Sequence, residues 1–70
     1  MSYLLTRTRQ SDGLEHVVTG ETLRDCRKHV AWCMTYNAGT SRKEASGVAD
    51  KLHVGVELVA HGYAFMASKD

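Results

Sequence analysis

The sequence predicts a small α+β domain of ββααββ order, with the helices packed on one face of an antiparallel sheet. Three observations carry this expectation: strand-like alternation at the N-terminus, two helical apolar patterns in the middle, and a second alternating segment near the C-terminus. The 70 residues contain no proline, linker or internal repeat, so a single domain over residues 1–70 is expected. A chain this short buries only about 60% of its unfolded surface, which leaves stability marginal unless a partner or a second copy adds to it.

Residues 2 to 9, "SYLLTRTR", set Tyr3, Leu5 and Arg7 against Leu4, Thr6 and Thr8, and strand formers dominate. "QSDG" follows as a turn in which Asp12-Gly13 supplies the positive φ that a hairpin loop needs, and "LEHVV" from Leu14 to Val18 is the returning strand. Thr19 is the expected N-cap of the first helix, with Glu21 in its first turn and a helical pattern from Thr22 to about Asn37. Gly39 ends it.

Ser41 and Glu44 then stand at capping-box spacing, and Ala45, Val48, Ala49 and Leu52 follow at i, i+3, i+4 and i+7. A second helix to about His53 is expected. The tail, "VELVAHGYAFMA" from Val56 to Ala67, fits both a hairpin about His61-Gly62, with Val56, Leu58 and Ala60 facing one way, and a helical series. Gly62 would cost a helix interior about 1 kcal/mol relative to alanine, and an isolated N-terminal hairpin needs further strands, so strands are the reading.

The stretch "CRKHVAWC", residues 26 to 33, carries the most chemistry in the chain. At helical spacing Leu23, Cys26, Val30, Cys33, Met34 and Asn37 share one arc, where a free cysteine serves as a small buried hydrophobe. Cys26, His29 and Cys33, joined by His16 or His53, would offer metal donors, yet structural zinc sites use short-spaced cysteine pairs that this chain lacks. No metal and no cofactor are expected. A Cys–His nucleophile would further need an orienting group and an oxyanion site, and no phosphate loop, carboxylate pair or G-x-S-x-G is present, so the chain is read as no enzyme.

His29, Trp32 and Tyr36 form a second stripe away from the cysteine arc. Two readings stand for it: a helix buried on two sides, by the sheet and by the second helix, or a contact face for a partner, flanked by Arg24, Asp25 and Lys28. Exposed Trp and Tyr beside Arg are the residue types that dominate interface energetics.

Nine Lys and Arg against eight Asp and Glu give a net charge of +1, so no global field draws the chain to nucleic acid or to an anionic membrane. Direct nucleic-acid binding is not expected, although Arg7 and Arg9, or Arg24 and Lys28, could touch phosphates. "VADKLHVGVELV", residues 48 to 59, resembles the core of a helix-turn-helix through Ala49, Leu52, Val54 and Val59. That resemblance implies a small DNA-binding or transcription-regulatory protein whose recognition helix runs from Val56 to about Tyr63. His53 stands where the motif usually has glycine, and Glu57 with no Lys or Arg on that segment opposes the phosphate field.

The leading expectation is therefore a non-enzymatic protein-binding module that blocks a larger protein or nucleoprotein complex. Phage and mobile-element accessory inhibitors such as anti-CRISPR proteins have this profile, by analogy of size alone. A homodimer is one form it could take. "MSYLLTRTRQ" lacks the apolar segment of a signal peptide, so a soluble cytoplasmic chain is expected, in which the two cysteines stay reduced.

Overall fold

A computed structural model describes residues 2–69, with Met1 and Asp70 outside the described residues. The elements are β1 (Tyr3–Arg9), β2 (Glu15–Gly20), α1 (Leu23–Tyr36), α2 (Arg42–Ala49), β3 (Leu58–Ala60) and β4 (Tyr63–Lys69). All strand pairings are antiparallel in one sheet of order β2-β1-β4-β3, so the first and last strands lie side by side in its centre. This is the ββααββ order that the alternation and the two helical patterns predict.

Both hairpins turn where the sequence places positive φ. Gly13 has φ 72°, and its N–H donates to the Arg9 carbonyl at 2.7 Å to close the first turn. His61 and Gly62 take φ 50° and 82°, the mirror-image turn whose twist matches that of the flanking strands. The Gln10 N–H donates to the Gly62 carbonyl at 2.8 Å, which joins the two turns at one end of the sheet.

Cross-strand partners point to the same face, so register sorts every strand residue. Leu5 stands between Val18 and Ala67, and Arg7 between His16 and Phe65. Leu5, Phe65 and Ala67 are fully buried together with Cys26, Val30, Cys33 and Met34 of α1, which identifies this as the helix-covered face. The expected cysteine arc is thus the inner surface of α1 from Leu23 to Met34, whereas Asn37, its last expected member, is the exposed C-cap. Both cysteines are free thiols, and burial, with Asp25 as a lesser cause, pushes the Cys26 thiol up from its ordinary pKa. The opposite face carries Leu4, Thr6, Val17, Val59, Ala64 and Met66, none of them buried.

The cap of α1 differs from the expectation. Thr19 lies within β2, opposite Leu4, because strand pairing continues to Gly20. The N-cap is Thr22: its hydroxyl accepts from the Asp25 N–H at 3.2 Å, and the Asp25 carboxylate accepts from the Thr22 N–H at 3.2 Å. Gly20 is the hinge between strand and cap, and a Cβ there would stand 3.0 Å from the Asp25 Cβ and 3.4 Å from the Cys26 Sγ. Since the capping box holds Asp25 in place, Gly20→Ala should destabilise the domain by about 1–3 kcal/mol, read as a lower urea midpoint with an unchanged slope.

The second helix is shorter than predicted. Ser41 caps it, accepting from the Glu44 N–H at 3.2 Å, but it ends at Ala49 rather than near His53. The reason is tertiary: the Arg27 guanidinium of α1 donates to the Leu52 carbonyl through Nε at 3.1 Å and Nη2 at 2.8 Å, and the chain tightens through Lys51 N–H to Val48 O and Leu52 N–H to Ala49 O. Leu52 reaches the core from this turn, fully buried.

The same geometry removes the helix-turn-helix. His53 to Val56 is a tight turn with Gly55 at φ 79°, and its Gly55 N–H donates to the Ala67 carbonyl at 2.9 Å. The segment from Val56 to Tyr63 then forms β3 and a hairpin turn in place of a recognition helix. Leu58 and Ala60 pack toward the core as expected, whereas Val56 precedes the strand and is 55% exposed. An ion pair between His61 Nε2 and Glu44 Oε1 at 3.1 Å, formed when the imidazole is protonated, links the hairpin turn to α2.

Candidate functional site

Trp32 is covered neither by the sheet nor by α2. Helix α1 does pack against both, but through other sides, and Trp32 is 51% exposed and Tyr36 66% exposed. The reading of a helix buried on two sides is therefore right about the helix and wrong about its tryptophan. Spacing at i+3 and i+4 brings the rings together: His29 stacks on Trp32 at 6.0 Å between centroids, and Trp32 meets Tyr36 tilted at 5.4 Å. Mutual ring contact fixes their rotamers and lowers the entropy that a partner would have to remove. His29 is half-buried, and burial, then the nearby charge of Arg7, lowers its pKa below the ordinary imidazole value, which favours a neutral ring.

The flanking residues divide between two places. Asp25, Lys28, His29 and Trp32 line one shallow pocket of about 360 Å³ on the outer side of α1. Arg24 lies instead with Lys28, Arg27, Ala31 and Asp50 along the groove between α1 and α2. Lys28 reaches both. Asp25 has its carboxylate engaged in the Thr22 cap, so its first role is to start the helix.

Cys26 and Cys33 face the core while His29 sits beside Trp32, so helical spacing separates the three donors. Among the described residues no group of three His, Cys, Asp or Glu side chains is placed to hold a metal ion. No helix among them is long and apolar enough to cross a membrane.

Sequence reasoning did not assemble one further site. Arg7, Arg9, Leu14, His16, Tyr36, Asn37 and Tyr63 line a cleft of about 370 Å³ at the end of the helix-covered face. Its residues come from β1, β2, β4 and the end of α1, and only the strand order β2-β1-β4 makes them neighbours. The signal that could have found it was Arg7 itself, a cation in phase with Leu5 on the inward side of an alternating strand.

No family model, curated protein or solved structure matches this chain, so its own residues carry the functional argument.

Proposed function

We propose that the protein is a non-enzymatic binding module that docks a larger protein or nucleoprotein complex through the His29, Trp32 and Tyr36 stripe of α1. One observation carries the reading: the only tryptophan of the chain stands half outside, in contact with the rings of His29 and Tyr36, on a helix that already buries Cys26, Val30, Cys33 and Met34 on another side. Large aromatic side chains supply much of the energy of protein interfaces, and leaving Trp32 and Tyr36 in water costs solubility. Lys28 at the pocket rim supplies a charge that orients an incoming surface, with Arg24 one turn earlier on the same helix. The cytoplasm is the proposed compartment, where free Cys26 and Cys33 remain reduced.

Blocking a host complex, as small phage accessory inhibitors do, is the mode of action proposed by analogy of size. Affinity capture from the source cell with wild-type and Trp32→Ala baits, read by mass spectrometry, tests the module reading. A protein set retained by the wild type and lost by the variant supports it. Identical sets for both baits, or nucleic acid alone, would sink it.

A further inference from the structure

We propose that the cleft bounded by Arg7, Arg9, His16, Tyr36 and Tyr63 binds a small phosphate monoester that carries a planar ring, a mononucleotide being the common example. Arg7 is the centre of the argument. Its guanidinium lies 5.9 Å from the centroid of the Tyr63 ring, half-buried, and no acceptor among the described residues takes any of its five N–H donors. A fork held by an aromatic face and left without a carboxylate is arranged for an anion from outside.

The surrounding charges agree. Arg9 donates through Nε and Nη2 to Asp12, at 3.1 and 2.5 Å, and its guanidinium also interacts with the Tyr63 side chain, another residue of the cleft wall. Asp12 is the nearest carboxylate, and Arg9 together with the Leu14 N–H holds its pKa down to about 2, so it is fully committed to that turn. Glu15 pairs with Thr8 in the sheet, and that register points it to the opposite face. Two of the last four carbonyls of α1 are also occupied: Cys33 O accepts from Asn37 N–H and Ala38 N–H, and Met34 O from Thr40 N–H.

The guanidinium groups of Arg7 and Arg9 carry one positive charge more than Asp12 balances, and the His16 ring adds a hydrogen-bonding group beside them. A phosphate monoester, with its negative charge and three acceptor oxygens, offers the unpaired Arg7 fork and its neighbours the acceptors they lack. A bare phosphate would leave most of the 370 Å³ empty, and the remaining volume lies beside the exposed Tyr36 ring, on which a planar group stacks.

Titration with adenosine 5′-monophosphate, followed by NMR shifts of the cleft residues, tests the assignment, with adenosine and inorganic phosphate as competing probes. The expected result is saturable binding of the monophosphate, with adenosine and phosphate each weaker by about tenfold or more. Arg7→Gln should weaken the monophosphate by about tenfold or more at an unchanged melting temperature. His16→Gln, on the exposed edge strand, should weaken it severalfold and serves if the Arg7 variant folds poorly. The proposal is overturned by no saturation below about 10 mM, by adenosine or phosphate binding as tightly as the monophosphate, or by folded variants that bind like the wild type.

Discussion

Phe65→Ala should leave much of the chain unfolded at 25 °C. Phe65 is fully buried in the middle of β4, with Arg7 opposite it on β1 and Leu58 on β3, and its ring stacks on Tyr63 at 6.2 Å. Truncation removes the largest side chain of the core and leaves a cavity that two hydrogen-bonded neighbours cannot close. Such changes cost about 3–5 kcal/mol, against a total stability of about 5 kcal/mol for a domain near the small end of the range. Loss of a cooperative melt by circular dichroism is the expected reading. Val59→Ala, on the open face and half exposed, is the matched control and should melt close to the wild type.

Trp32→Ala removes an even larger side chain and should do far less to the fold. Half of Trp32 is already in water, and its ring contacts are with His29 and Tyr36, neither of which is a buried core residue. A loss of about 1 kcal/mol or less is expected, with the helix signal intact. Cys33→Ala lies one position further along the same helix but in the buried arc, and should cost more stability despite deleting a single sulfur. The contrast between neighbours 32 and 33 separates a contact face from a core face on one element. A Trp32 variant that unfolds as Phe65→Ala does would return the stripe to the core.

Local rules made most of the fold legible. Asp12-Gly13 and His61-Gly62 announce their hairpins, and the spacing of Cys26, Val30, Cys33 and Met34 marks the inner side of α1. What escaped the sequence depended on distant residues. The end of α2 is set by Arg27, 25 positions before Leu52 in the chain, and no pattern within residues 42 to 53 records that contact. Thr19 and Thr22 are equally good caps by composition, and pairing of Gly20 with Tyr3 decides between them. The cleft escaped for the same reason, since Tyr63 joins Arg7 and His16 only when β4 pairs with β1.

Because Trp32 is the only tryptophan, its fluorescence reports the central claim without a label. Quenching by acrylamide, a neutral probe that avoids the charges of Lys28 and Arg7, measures how open the indole is. The account predicts efficient quenching in the isolated chain and clear protection once the partner retained by wild-type affinity capture is added. An indole shielded from acrylamide in the isolated monomer, or one quenched equally well in the complex, would contradict the assignment of this stripe as the docking face.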